Sequence, residues 1–414
     1  MTSPHLEKAK NAIIAGNSPQ IVLSLLSYAF ERKASDIHIE PGQSSVRIRF
    51  RIDGELQEII EYPANIHPAV VSRIKIQSGM KIDEQRKPQD GRLQMFTEDR
   101  HEVELRVSTL PTISGEKVCM RLQDKTKEIP NFRALGIKGN NLKRMEGIVK
   151  NPNGINLVTG PTGSGKTTTL YSLLHQLNDE SVNIMTFEDP VEYEMPGLSQ
   201  SQVKPDIGYD FSSGLRTALR QDPDIIMVGE IRDQETIEIA IKAALTGHMV
   251  LSTIHTNSSV ATITRILDMG VQAFKITSTL RTVEAQRLVR KLCPHCKEEY
   301  DPTDTVRDEV RLALEKTKDC EFDYNVLQSP FTLFRPKGCE KCDNTGYRGR
   351  LGLYEVMELD RDIEKMILER AQEADIEDAC IEKGMLTILQ DGFFKAIEGS
   401  TSLEEVYKVA SGEH

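Results

Sequence analysis

Gly160-Pro161-Thr162-Gly163-Ser164-Gly165-Lys166-Thr167 follows the apolar run Ile155-Asn156-Leu157-Val158 and precedes Leu170, Leu173, Leu174 and Leu177, which are spaced as one face of a helix. Strand, glycine-rich loop and helix in that order make a phosphate-binding loop. Without Cβ atoms to block positive-φ turns, successive backbone N–H groups turn inward around β- and γ-phosphates. The helix N-terminus adds its partial positive charge. In such a loop Lys166 reaches the β- and γ-phosphates as a point charge, and the Thr167 hydroxyl completes the coordination of Mg²⁺. The candidate nucleotide-contacting residues are those of 160–167 together with Thr168.

Apolar strand signals recur at 155–158, 183–187, 225–228 and 250–254, separated by helical patterns. This alternation predicts a mostly parallel sheet with its ligand site at the carboxyl ends of the strands. Two carboxylate clusters should end there. The first is Phe187-Glu188-Asp189-Pro190-Val191-Glu192-Tyr193. The second is Ile225-Ile226-Met227-Val228-Gly229-Glu230-Ile231-Arg232-Asp233, which reads as a Walker B strand with Gly229 where many such strands carry aspartate. Glu230 is then the acid left to hold Mg²⁺, and Glu188, Glu192 or both are candidates to orient the attacking water; the alternative is a set of solvated loop acids. His255 closes the strand of 250–254 where a γ-phosphate would sit, and can hydrogen-bond it. His248, at the other end, reads equally well as a capping residue.

At 414 residues the chain exceeds one core and predicts two or three domains. A net charge of −11 gives no broad electrostatic reason to bind nucleic acid. The opening Met1-Thr2-Ser3-Pro4-His5-Leu6 has no apolar signal core, and no run approaches the ~18 apolar residues of a membrane span. The expectation is a cytoplasmic protein that works against a membrane through partners. Residues 1–19 read as a polar extension and 19–34 as a helix. In Val46-Arg47-Ile48-Arg49-Phe50-Arg51-Ile52 strict alternation sets apolar side chains on one face of a strand and arginines on the other, with Asp53-Gly54 as a hairpin turn. That arginine face is either solvated or held against an anion or an acidic neighbour. With a helix over 66–79 and strands over 93–96, 103–110 and 117–122, residues 20–124 predict a small α+β domain.

Seven cysteines, an odd number, argue against a disulfide framework. Cys119, Cys320 and Cys380 stand alone and read as packed thiols. Cys293-x2-Cys296 and Cys339-x2-Cys342 each offer two thiolates from one knuckle, and tetrahedral Zn²⁺ accepts four. Such a zinc is structural, because four sulfur ligands leave no open position; the alternative is four reduced, metal-free thiols.

Gly160 to Thr167, Glu188-Asp189-Pro190-Val191-Glu192, Val228-Gly229-Glu230-Ile231-Arg232-Asp233 and His248 with His255-Thr256-Asn257 resemble, in order and spacing, the Walker A, Asp box, Walker B and His box of the secretion ATPase superfamily. Upstream, Ser35-Asp36-Ile37-His38-Ile39-Glu40, Gln89-Asp90-Gly91-Arg92 and Arg106-Val107-Ser108-Thr109-Leu110-Pro111 resemble its second N-terminal domain. The likeness runs from about residue 20 to the C-terminus and points to the type II secretion and type IV pilus assembly ATPases.

It implies a RecA-like P-loop ATPase domain preceded by a small α+β (PAS-like) domain, with a zinc-binding subdomain and C-terminal helices. The corresponding boundaries are 1–19, 20–124, a linker over 125–140, 141–290 for the ATPase domain, 291–345 for the zinc subdomain and 346–414 for the helical part. It further implies a homo-hexamer with ATP near subunit boundaries, Mg²⁺ as cofactor, and an inner-membrane platform protein and recruiting membrane protein as partners. By position Arg92 and Arg106 match arginines that the family brings onto the γ-phosphate, with Arg121 a weaker candidate; the alternative is salt bridges inside the small domain. Assembly and secretion members carry the four cysteines and retraction ATPases lack them. A retraction ATPase, a DNA-translocating motor of the same superfamily and an ATP-responsive scaffold are the competing readings. Many assembly ATPases carry a further N-terminal domain that residues 1–19 cannot accommodate, so the chain is expected to be a short member or a shortened one.

Overall fold

The computed structural model describes residues 3–123, 128–151, 153–328 and 330–410, and the chain divides into two units, Met1–Glu128 and Ile129–His414. Residues 124–127 of the expected linker lie outside the described residues.

The first unit contains α1 (Pro4–Ile14), α2 (Ser18–Glu31), β1 (Asp36–Pro41), β2 (Ser45–Ile52), β3 (Glu55–Pro63), α3 (His67–Gln77), β4 (Gln89–Phe96), β5 (Glu102–Thr112) and β6 (Gly115–Gln123). Its six strands form one antiparallel sheet in the order β3-β2-β1-β6-β5-β4. The alternation in β2 survives folding: Val46, Ile48, Phe50 and Ile52 are buried, in one core with Ile21, Leu25 and Ile74 of the helices. Asp53 and Gly54 both take positive φ, as a two-residue hairpin turn of this twist requires. The arginine face is paired within the sheet. Arg49 makes two 2.8 Å bonds to Glu40 of β1, Lys117 of β6 makes a third at 2.8 Å, and these cations hold the Glu40 carboxyl at about 2 although burial opposes ionisation.

Residues 4–14, expected as part of a polar extension, form α1. Its few apolar side chains gave little periodic signal, and a carboxylate supplies much of the attachment. Glu98 accepts from Lys8 at 2.6 Å, Gln20 at 2.8 Å and Ser24 at 3.1 Å, and lies 3.0 Å from His5.

The second unit opens with α4 (Phe132–Leu135), which buries Phe132 within the span expected as linker, and α5 (Gly139–Lys150). Then follow β7 (Gly154–Thr159), α6 (Lys166–Leu177), β8 (Ile184–Glu188), β9 (Ser199–Gln202), α7 (Phe211–Ala218), β10 (Ile225–Val228), α8 (Gln234–Leu245), β11 (Met249–Ile254), α9 (Ser259–Asp268), α10 (Ala273–Thr279) and β12 (Leu280–Leu292). After β12 come β13 (Glu298–Tyr300), α11 (Asp304–Glu315), β14 (Leu333–Arg335), β15 (Tyr347–Glu358), α12 (Arg361–Leu368), α13 (Glu373–Glu382), α14 (Ile388–Ile397) and α15 (Leu403–Ala410). The seven-stranded sheet runs β15-β12-β7-β11-β10-β8-β9. Every pairing is parallel except that of β15 with β12. Helices cover both faces, so β7, β10 and β11 are buried along their whole lengths and read as largely apolar runs. One core gathers Ile237, Ile241 and Ile263; the other gathers Leu142, Leu170, Leu174 and Leu251.

Two expectations are corrected. The part from 346 onward is not all helical, because it begins with the twelve-residue strand β15. The boundary expected at 290 also falls inside a strand of the central sheet: β12 reaches Leu292 and pairs with β15. Both strands carry glutamates and arginines that blur the apolar signal of a buried strand, and in β15 Gly349 and Gly352 weaken it further.

Glu284, at the middle of β12, is 1% exposed, and neither carboxylate oxygen has a hydrogen-bond partner among the described residues. Burial pushes its carboxyl up to about 8. The folded chain therefore keeps a proton that the unfolded chain loses above its own, lower pKa. Stability from this group is complete at acid pH, declines as pH rises toward 8 and is flat beyond, at ~1.4 kcal/mol per unit across the window. Glu284→Gln should remove that slope, so the melting-temperature difference between variant and wild type should grow in the variant's favour from pH 5 to pH 8.5. A difference that stays constant across that range contradicts the assignment.

Candidate functional site

The phosphate loop leaves β7 at Gly160, φ +144°, and turns through Gly163 at +81° and Gly165 at +92° before α6 begins at Lys166. At Gly160 a Cβ would lie 2.5 Å from the Gln286 carbonyl and 2.7 Å from the Ser164 hydroxyl, so only glycine fits. Ser164 is buried, and its hydroxyl has no hydrogen-bond partner among the described residues. Lys166 donates to the Gly160 carbonyl at 2.8 Å and the Pro161 carbonyl at 3.1 Å. Burial lowers its pKa, while nearby Glu230 opposes the shift and nearby Arg287 adds to it. Thr167 is exposed and Thr168 half-buried in the first turn of α6. A glycine cradle, an unpartnered buried hydroxyl and an ammonium at its mouth fit a polyphosphate.

The acids come to the same end of the sheet by different routes. Glu230, just beyond β10, is ion-paired with Arg232, and its second oxygen lies 3.5 Å from the His255 ring. His255 itself is half exposed beyond the end of β11. Thr159 at the end of β7 accepts from the Thr256 amide at 2.8 Å and donates to the Ile254 carbonyl at 2.8 Å, which ties the root of the phosphate loop to the His255 segment. Glu188 and Glu192 differ sharply. Glu188 is 3% exposed and accepts from Thr186 at 2.5 Å, Gln200 at 3.2 Å and the Tyr171 hydroxyl. Glu192 is half-buried, and its amide donates to that same hydroxyl at 3.3 Å. The Tyr171 phenol thus joins the two, with Glu188 as the buried anchor and Glu192 the more accessible acid. His248 takes the capping role, its ring 2.9 Å from the Ala243 carbonyl and 3.0 Å from the Thr246 hydroxyl.

Gln286 and Arg287 of β12 also belong to this site and had no motif to mark them. The Gln286 amide donates to the Ser164 carbonyl and accepts from Thr169 at 2.7 Å. Arg287 donates to the Asn257 carbonyl at 2.8 Å. The available signal was a cluster of polar residues in the middle of 280–292, unexpected in a buried strand.

In the first unit Arg92, Arg106 and Arg121 occupy directly paired positions on β4, β5 and β6. Paired positions share a face, so the three guanidinium groups form a row across the sheet. Arg121 ends the row against Asp36 at 3.0 Å.

The four paired cysteines come together. All four sulfurs lie within 4.8 Å of one another, with Cys293–Cys339 at 3.9 Å and Cys296–Cys342 and Cys339–Cys342 at 3.7 Å. Tetrahedral zinc with Zn–S bonds of ~2.3 Å places its sulfurs ~3.8 Å apart, so the set fits that ion. Burial works against ionisation of Cys342, but amides of Cys339 at 3.3 Å and Gly346 at 3.2 Å point at its sulfur and bring the thiol down to about 7.

The family described as "Type II/IV secretion system protein" matches residues 14–408. "Type IV pilus assembly ATPase TfpB" of Acinetobacter baylyi is 46% identical over 385 residues, which are 93% of this chain and 64% of that protein. "Type II secretion system protein E" of Pseudomonas aeruginosa is 45% identical over 394 residues, 95% of this chain and 76% of the relative. The chain therefore spans less than two thirds of the Acinetobacter relative. Among solved structures, the pilus retraction motor PilT with bound ADP superposes with a TM-score of 0.62 at 26% identity, over 94% of this chain and 96% of that one.

Elemental analysis of the purified protein should find about one zinc per chain, as four thiolates demand. In Cys293→Ser that zinc should be lost and the unfolding temperature lowered. Wild-type protein that carries no zinc contradicts the metal centre.

Proposed function

Because this chain belongs to the type II/IV secretion system protein family, we propose that it is an ATP-hydrolysing motor of a type IV pilus assembly or type II secretion machine. The observation that carries the proposal is the convergence of Lys166, Glu230 and His255 on a glycine cradle that fits a polyphosphate. ATP is held on the loop of 160–167, with Thr168 in the first turn of α6. Thr167 and Glu230 hold Mg²⁺, which when bound neutralises charge on the β- and γ-phosphates. Glu192, braced through Tyr171 by the buried Glu188, orients the attacking water and takes up its proton. His255 senses the γ-phosphate, and its contact with Glu230 links that sensing to the metal-holding acid. Arg92 and Arg106, set side by side on one sheet face, supply positive charge to the γ-phosphate of a site shared between subunits of a hexameric ring.

Hydrolysis in the ring then moves an inner-membrane platform protein, at the cytoplasmic face of the membrane, so that pilin-like subunits are extracted and stacked. No helix among the described residues is long and apolar enough to cross a membrane. The cysteine cluster favours an assembly or secretion motor over a retraction motor, and the net charge of −11 disfavours a motor that tracks DNA.

Specific ATPase activity should rise with protein concentration, because a shared site is complete only in the ring. Arg92→Ala and Lys166→Ala should each fall to background alone and partly rescue each other when mixed. Concentration-independent activity with no rescue contradicts the shared site, and turnover by Lys166→Ala at the wild-type rate contradicts the loop assignment.

A further inference from the structure

Arg287 is 9% exposed in the middle of β12, and burying a guanidinium is costly unless its charge and its N–H groups are answered. The countercharge is Glu355 of β15, itself 3% exposed, whose Oε1 accepts from the Ser259 amide at 2.7 Å and the Ser259 hydroxyl at 2.6 Å. The guanidinium does not bond that carboxylate. Its Nη2 donates to the Asn257 carbonyl at 2.8 Å and its Nη1 to the Gln286 carbonyl at 3.0 Å. Both acceptors belong to the nucleotide site. Asn257 follows His255 by two residues, and the Gln286 carbonyl is the atom against which Gly160 packs.

We propose that Arg287 is a positioning residue: its planar fork fixes the His255–Asn257 segment against the root of the phosphate loop, and so sets where His255 stands relative to Glu230. The proposal rests on the ATPase reading. Only a fork serves, because a lysine keeps the charge but is a compact point donor that cannot span two carbonyls with fixed geometry. Among the described residues Arg287 bonds the Asn257 and Gln286 carbonyls and no residue of the loop of 160–167, so Arg287 governs turnover rather than nucleotide affinity. A displacement of about 1 Å in an acting group costs on the order of 10²-fold in rate.

The test compares full-length wild type, Lys166→Ala and Arg287→Lys for steady-state ATP turnover and for Mg-ADP binding. Arg287→Lys should bind Mg-ADP within about threefold of wild type while its kcat falls on the order of 10²-fold. Wild-type kcat in Arg287→Lys overturns the proposal. Loss of Mg-ADP binding in step with kcat also overturns it, since that is what general damage to the site produces. Lys166→Ala separates this failure from failure of the underlying reading: if wild type does not hydrolyse ATP, or Lys166→Ala hydrolyses it equally well, the ATPase reading falls and takes the Arg287 proposal with it.

Discussion

The close approach of Gly160 to the Gln286 carbonyl is the constraint on which the nucleotide site depends. A Cβ at Gly160 would stand 2.5 Å from that oxygen, so β7 can end beside β12 only if the chain there is glycine. Once that junction is made, the loop turns through Gly163 and Gly165 and starts α6 at Lys166. The parallel pairing of β7 with β11 and of β10 with β8 then delivers His255, Glu230 and Glu188 to the same end of the sheet. These three acids and bases are thus assembled by strand register, each at or just beyond a strand's carboxyl end.

β12 pays for its role with polar groups in a place that would otherwise be wholly apolar. Glu284, Gln286 and Arg287 are nearly inaccessible to solvent. Gln286 satisfies both ends of its amide on the phosphate loop and α6, and Arg287 answers two carbonyls. Glu284 has no such partners, and a neutral carboxyl is the cheaper state in that position. The same strand runs on to Leu292, where it pairs with Tyr347, and the next residue is Cys293 of the zinc-fitting cluster. One antiparallel pair of strands therefore carries nucleotide-site contacts in its middle and the cysteine module at its far end.

Much of this was legible in the sequence, for a physical reason. Strands β7, β10 and β11 are buried on both faces, so they appear as short apolar runs, and Gly160, Gly229-Glu230 and His255 mark where they end. The alternation of β2 and the Asp53-Gly54 turn were equally plain. β12 and β15 were not, because buried polar residues satisfied by long-range contacts look in sequence like surface. The difference between Glu188 and Glu192 was invisible for the same reason: the partners that bury Glu188, Tyr171 and Gln200, come from other elements. α1 was missed because Glu98, far along the chain, makes its polar face adhesive. The row of Arg92, Arg106 and Arg121 emerges only from the pairing register of three strands.

The central claim is that the loop of 160–167 is a nucleotide site in which Lys166 engages the β- and γ-phosphates. Calorimetric titration of the full chain with a non-hydrolysable ATP analogue and Mg²⁺ tests it most directly. Saturable binding in the wild type, weakened at least about tenfold or ~1.4 kcal/mol in Lys166→Ala, is the expected result. Equal affinity in the two proteins contradicts it.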